Sequence, residues 1–155
     1  MSHIKNQIAI TAIFLIAVSF GGALTAHAYD EVGVYWNNTY TNQHVTTSGA
    51  FESVTGYIVI HEPALGGGIL AWECAVDITG PALVTSWQIE GQAINAESPP
   101  SFAVGLASPL PSAAAVMVAS FNLLVTDYPV PIDVSLEPIY FASIEGQMVY
   151  IDSLD

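Results

Sequence analysis

The sequence AAVMVASFNLLVT at residues 114–126 indicates the fold of this chain. Its first half is apolar at almost every position, and in its second half Phe121, Leu123 and Val125 alternate with other residues. A period of two is typical of a β-strand, and an apolar run on both faces is typical of a strand inside a sheet. We therefore predict a central, buried β-strand here.

Segments of the same kind precede and follow this one, separated by Gly, Pro, Asn or Ser, and no segment keeps the helical period over three turns. The other predicted strands are residues 29–36, 51–62, 69–79, 82–94, 102–106, 132–137 and 147–152. Eight or nine strands at this spacing predict an all-β fold, a two-layer antiparallel β-sandwich with jelly-roll or immunoglobulin-like connections. A closed barrel is the alternative.

The first 28 residues have the pattern of a secretory signal peptide. Lys5 supplies the positive charge, residues 8–20 are apolar, and Ala26 and Ala28 form a small-x-small cleavage site. We expect residues 1–28 to be removed and residues 29–155 to form a single β-sandwich domain. We then expect a secreted protein, located outside the cell or at the cell surface, with the periplasm as the alternative. After cleavage we expect no membrane partner.

The charge of the chain excludes several functions. It has 14 acidic residues and a single Lys or Arg, which is Lys5, and every acidic residue follows Ala28. The exported domain therefore lacks a lysine for Schiff-base chemistry, an arginine for binding phosphate, and a basic face for nucleic acid. Mutual repulsion of the carboxylates predicts a monomer near neutral pH.

Residues that commonly carry out catalysis are scarce. His44 and His61 are the histidines that follow residue 28, and motifs of serine hydrolases, zinc proteases, phosphate loops and dithiols are missing from the sequence. Cys74 is single and shares a strand face with Trp72 and Val76, which predicts a buried thiol without an intramolecular disulfide. We predict no catalytic residue, no metal ligand and no cofactor.

Carboxylates leave two further hypotheses open, because a glycosidase needs two of them and calcium prefers oxygen ligands. The candidate glycosidase carboxylates, which fall mostly on predicted solvent faces, are Glu73, Asp77, Glu90, Asp133 and Glu137. The closest pairs for a structural calcium ion are Asp30 with Glu31 and Asp152 with Asp155.

Aromatic residues near a polar, Asn- and Thr-rich segment suggest a second kind of site. Tyr35, Trp36 and Tyr40 lie together in the sequence beside residues 37–49. Aromatic side chains of this kind can stack on sugar rings, so these three are the candidate ligand-binding residues. On a strand, however, Tyr35 and Trp36 face opposite ways, so at most one of them belongs to the core.

Two parts of the chain resemble a cohesin-type module. They are WECAVDI at residues 72–78, followed by residues 83–84 and 87–91, and VMVASFNLLV at residues 116–125, followed by residues 131–134. Gly33-Val34-Tyr35 and the Trp-Glu-Cys segment also resemble small secreted bacterial proteins of unknown function. The cohesin resemblance implies a nine-stranded jelly-roll sandwich that binds proteins or attaches to cell surfaces without catalysis. No dockerin-contacting residue can be assigned, because no specific motif matches.

These observations favour a secreted, non-catalytic β-sandwich module for protein binding, adhesion or surface assembly. The expected partner is a protein or a cell-surface polysaccharide. The alternatives are a carbohydrate-binding module and a small carboxylate-dependent glycoside hydrolase.

Overall fold

A computed structural model describes residues 31–63 and 67–153, so the predicted signal peptide, Asp30 and Asp155 lie outside the described residues. This part of the chain contains no helix. Its strands are β1 (Glu31–Tyr35), β2 (Ser53–His61), β3 (Ile69–Thr79), β4 (Ala82–Ile89), β5 (Ala93–Asn95), β6 (Ser101–Leu110), β7 (Ala115–Val125), β8 (Asp133–Glu137) and β9 (Val149–Asp152). The predicted all-β fold is confirmed.

The strands form two antiparallel sheets that pack against each other. Sheet A has the order β1-β2-β7-β4, and sheet B has the order β5-β6-β3-β8, with β9 also paired to β3. One hydrophobic core lies between them, because inward-facing residues of both sheets, such as Ile58 and Phe102, belong to the same buried cluster. This is a β-sandwich and not a closed barrel.

Strand β7 has the central position that its sequence predicts, paired with β2 on one side and β4 on the other. Its Phe121 is 1% exposed and contacts Trp87 of β4 at a ring-centroid distance of 5.0 Å. Trp87 also contacts Phe102 of sheet B at 5.1 Å, so aromatic rings join the two layers at the middle of the core.

The chain crosses between the sheets five times, at the connections β2 to β3, β3 to β4, β4 to β5, β6 to β7 and β7 to β8. An immunoglobulin-like arrangement of strands ABED and CFG needs about three such crossings. The frequent crossings therefore favour the jelly-roll type of connection over the immunoglobulin-like one.

One predicted strand was wrong, because residues 82–94 form two strands in different sheets. Strand β4 ends at Ile89, and β5 begins at Ala93 in sheet B. Between them Gly91 has φ +75°, a conformation that glycine adopts easily, and it turns the chain across the sandwich. Alternation of apolar residues continues through the turn, which is why the sequence pattern conceals it.

The predicted buried thiol is confirmed. Cys74 is 1% exposed, on the inner face of β3 between Trp72 and Val76. Burial raises the pKa of this thiol to about 12, because the thiolate would lose its hydration. The side chain therefore acts as a small apolar core residue.

Candidate functional site

The loop of residues 37–44 covers part of the outer face of sheet A. In the register of β1 with β2, Glu31 lies opposite His61, Gly33 opposite Val59, and Tyr35 opposite Tyr57. Val59 and Tyr35 are 0% and 6% exposed although neither belongs to the core cluster between the sheets. They are buried because the loop packs over them.

Hydrogen bonds to Asn37 give this loop a fixed shape. Its side-chain nitrogen donates to the hydroxyls of Thr39 and Thr41 at 2.7 and 2.9 Å. Its side-chain oxygen accepts from the backbone N–H groups of Thr41 and Asn42 at 3.0 and 3.1 Å. Trp36 N–H also donates to the carbonyl of Asn42 at 2.8 Å, which closes the turn.

Two loop side chains attach the loop to the sheet. Tyr40 contacts Tyr57 edge-on at 5.8 Å between ring centroids, and its hydroxyl donates to Met117 Sδ at 3.7 Å. Gln43 Nε2 donates to Glu31 Oε1 and to the Tyr35 hydroxyl, both at 3.3 Å. The loop thereby forms one wall of a cleft, and the ends of β1 and β2 form the other.

We call this cavity of about 680 Å³ the loop cleft. It is lined by Glu31, Tyr35, Tyr40, Thr41, Asn42, Gln43, His44, His61 and Glu62. Carboxylates, imidazoles, phenols and amides thus meet in one place, a mixture that can bind a polar ligand.

Close packing fixes the floor of the loop cleft. Gly33 has no side chain, and a Cβ atom there would lie 3.1 Å from the Tyr35 ring and 3.3 Å from Gln43 Nε2. Burial, together with the negative charge of Glu31, raises the pKa of Tyr35, so its phenol stays protonated at neutral pH. The Tyr35 ring also packs on His61 at 4.9 Å between centroids.

The structure separates the three aromatic residues that the sequence proposes as a ligand-binding group. Tyr35 and Tyr40 both line the loop cleft. Trp36 faces the opposite side of β1, contacts Phe121 of the core at 5.8 Å, and lines a separate groove of about 340 Å³ with Val45 and Tyr128. The three rings do not share one surface.

The expectation of a solvent-facing Glu73 was wrong. Glu73 points to the outer face of sheet B, but it is only 9% exposed because the loop of residues 138–148 covers it. Its carboxylate accepts hydrogen bonds from Ser143 N–H at 2.7 Å and Ser143 Oγ–H at 2.8 Å. Glu73 therefore fixes a loop.

The carboxylates that do share a cleft are Glu31 and Glu62, which sequence reasoning missed as a pair because β-sheet pairing brings them together.

The outer face of sheet B carries an apolar trough. Ile94 lies opposite Gly105, Gly105 opposite Ala71, and Ala71 opposite Ile151 across four neighbouring strands. The two isoleucines are 78% and 47% exposed, and a Cβ atom at Gly105 would meet nothing within 4 Å. We call this row the sheet-B trough.

Two exposed aromatic residues lie in the loop that Glu73 fixes. Tyr140 and Phe141 are 92% and 81% exposed, and their rings meet edge-on at 4.6 Å. The neighbouring Ile139 is buried, at 7% exposed. We call Tyr140 and Phe141 the aromatic pair. Because Ser143 fastens their loop to Glu73, the pair is presented on the same face as the sheet-B trough.

Within residues 31–63 and 67–153, including the loop cleft, no three His, Cys, Asp or Glu side chains are placed to hold a metal ion. Asp152 is 1% exposed and accepts a hydrogen bond from Gly67 N–H at 3.2 Å. In the same part of the chain, no helix has the length and apolar character needed to cross a membrane.

No known family model, curated protein or solved structure matches this chain.

Proposed function

We propose that this chain is a secreted, non-catalytic β-sandwich module that binds a protein through the outer face of sheet B. The observation that carries the proposal is the aromatic pair, two large rings that are almost fully exposed on a loop fixed by Glu73. Contiguous exposed apolar surface of this kind is typical of a protein–protein contact. Aromatic residues are also the ones that most often dominate binding energy at such contacts.

The sheet-B trough lies on the same face, since its Ala71 is two positions before Glu73 on β3. Its floor consists of Gly105 and Ala71, which let a partner approach the backbone closely, and Ile94 and Ile151 form its sides. A flat face with small central residues and large exposed residues beside it can bury an extended partner segment or the edge of another domain. The resemblance to cohesin-type modules also implies a protein-binding role.

Charge indicates the chemistry of the partner. Asp77, Asp133, Glu137 and Glu145 are exposed on or beside this face, and no Lys or Arg occurs among the described residues. A partner whose apolar contact residues are surrounded by Lys and Arg would complement it, and such complementarity increases association rates.

Several observations support the non-catalytic part of the proposal. The Cys74 thiol is buried with a pKa of about 12, which makes it a poor nucleophile. Glu73 is engaged by Ser143, while Asp133 and Glu137 lie exposed on β8. Three of the five carboxylates proposed for hydrolysis thus lie at a loop contact or exposed on a strand.

Photo-crosslinking from defined positions tests the proposal. A photoreactive phenylalanine analogue is placed at Phe141, at Ile94, and at Thr85 on the outer face of sheet A, and each protein is returned to the cells that export it. We expect crosslinks to the same protein from positions 141 and 94 and none to it from position 85. Crosslinks to that protein from position 85 alone would refute the proposal.

A second variant tests whether loop anchoring matters. Ser143→Ala removes the side-chain bond to Glu73 without changing the aromatic pair. We expect weaker binding of the crosslinked protein, since a loop that keeps only the backbone bond to Glu73 is held less firmly and must be ordered on binding. Thr85→Ala, on the outer face of sheet A, is the control and should leave the affinity unchanged.

Carbohydrate binding in the loop cleft is the second candidate function, favoured by the Tyr40 ring and the Asn42 amide in one open cavity. Calorimetric titration with neutral oligosaccharides tests it. Tyr40→Ala should abolish the heat of binding if the cleft is the site, whereas an unchanged titration would exclude it.

A further inference from the structure

We infer that the loop cleft binds the ammonium group of a small amine, such as a polyamine or an amino sugar. The cleft lies on the outer face of sheet A, so this inference is independent of the protein-binding face on sheet B. It follows from the free carboxylate oxygens of the cleft and from the negative charge of the domain.

The protein has used the side-chain donors of Gln43, Tyr35 and Tyr40. Both hydrogens of Gln43 Nε2 are donated, to Glu31 and to the Tyr35 hydroxyl. The Tyr35 hydroxyl donates to Glu31 Oε1 at 3.5 Å, and the Tyr40 hydroxyl donates to Met117. A ligand that accepts hydrogen bonds is left with the Asn42 amide and the imidazoles of His44 and His61, and His61 Nε2 is buried without a partner in the described part of the chain.

Carboxylate oxygens of the cleft also remain free. Within the described residues, Glu31 accepts its two side-chain bonds on Oε1 at 3.3 and 3.5 Å, which leaves Oε2 without a donor. Glu62 is exposed and makes no side-chain hydrogen bond in this part of the chain. An ammonium group has three donors and no acceptor, so it complements these oxygens.

The charge of the domain favours the same ligand. The chain carries a formal net charge of −13, and no Lys or Arg lies among the described residues to neutralise Glu31 or Glu62. The resulting negative potential attracts cations to the cleft and repels phosphate and carboxylate ligands. A cavity of about 680 Å³ is large enough for a hexosamine or a short polyamine.

Paired ligands that differ in their ammonium groups test the inference. The ¹⁵N-labelled exported protein is titrated with glucosamine and with N-acetylglucosamine, and separately with 1,4-diaminobutane and with 1,4-butanediol, at low salt. We expect saturable shifts of the Gln43 side-chain amide and the Gly33 N–H with the amines, with millimolar dissociation constants that rise with salt. Binding of only one of the two amines still supports the inference and identifies the ligand class as an amino sugar or a polyamine.

Matched variants distinguish binding of the amine in the loop cleft from a general attraction of cations to an acidic protein. Glu62→Gln removes a carboxylate that holds nothing in the protein, and it should raise the dissociation constant about two- to fivefold. Glu137→Gln removes the same charge from sheet B and should change it by less than about 1.5-fold. Equal shifts with the neutral ligands, equal effects of the two variants, or no saturable shift at about 20 mM amine would each overturn the inference.

Discussion

Substitution of Gly56 by alanine is the most sensitive test of how tightly the core is packed. Gly56 lies on the inner face of β2 and directly opposite Phe121 of β7. A methyl group at this position would overlap the Phe121 ring, with Cε1 and Cε2 only 2.7 and 2.8 Å away. The ring cannot move aside easily, because it is 1% exposed and contacts Trp36 and Trp87.

The expected effect of Gly56→Ala is the difference of two opposing contributions. Replacing glycine by alanine inside a strand stabilises by about 0.5–1 kcal/mol when space is available. Forcing an extra methyl group into a filled core costs about 1–3 kcal/mol. We therefore expect a net loss of about 1–2 kcal/mol in the free energy of unfolding, or roughly 3–10 °C in Tm.

Gly105→Ala is the matched control. Gly105 is also a strand glycine without a positive φ, but its Cβ atom would meet nothing within 4 Å. This variant should gain about 0.5–1 kcal/mol. Urea unfolding followed by tryptophan fluorescence measures both. A Gly56→Ala protein as stable as Gly105→Ala would refute the reasoning, because it would show that Phe121 does not fill the space beside Gly56.

Three further predictions concern the thiol, one exposed carboxylate and the net charge. In the folded protein at pH 8, Cys74 should not react with a thiol-specific disulfide reagent, because at a pKa of about 12 the thiolate fraction is roughly 10⁻⁴. In about 6 M urea it should react fully. Rapid reaction of the native protein would contradict the burial of Cys74. The Ser48 N–H and hydroxyl groups donate to the Glu52 carboxylate and lower its pKa below the value of about 4.3 in the unfolded chain. The ionised carboxylate therefore stabilises the folded protein fully at neutral pH, and this stabilisation is lost as pH falls through the lowered pKa. The stability difference between wild type and Glu52→Gln, measured by urea unfolding, should shrink in this acidic range, and a difference that does not vary with pH would exclude the mechanism. Light scattering should show a monomer at pH 7 and low salt, and self-association as pH approaches the isoelectric point near 4.1 or when Ca²⁺ is added; the same molar mass in all three conditions would contradict this.

The strands are predictable from the sequence because their signals are local. Period-two alternation locates β3, β7 and β8 to within one residue at each end, since inward and outward positions along one strand meet different environments. The split between β4 and β5 is not predictable in this way. Gly91 turns the chain between sheets, but the apolar alternation on either side of it continues without a change of phase.

The candidate sites are less predictable because they depend on contacts between distant segments. Glu31 and Glu62 share the loop cleft only because β1 pairs with the far end of β2. Glu73 has the alternation of an exposed residue, yet a loop that begins more than 60 residues later covers it. Among the proposed aromatic residues, alternation correctly places Tyr35 and Trp36 on opposite faces, but it cannot show that the loop of Tyr40 folds back over Tyr35.

The affinity of the crosslinked partner for variants of the aromatic pair tests the central proposal most directly. Tyr140→Ala combined with Phe141→Ala removes both exposed rings, and Phe51→Ala removes a ring that is 76% exposed just before β2, where the Phe51 N–H donates to the Val125 carbonyl of sheet A. We predict that the double variant raises the dissociation constant at least about tenfold, as expected for aromatic residues at the centre of an interface, and that Phe51→Ala changes it less than about twofold. Unchanged affinity of the double variant, or an equal loss for Phe51→Ala, would contradict binding through the outer face of sheet B.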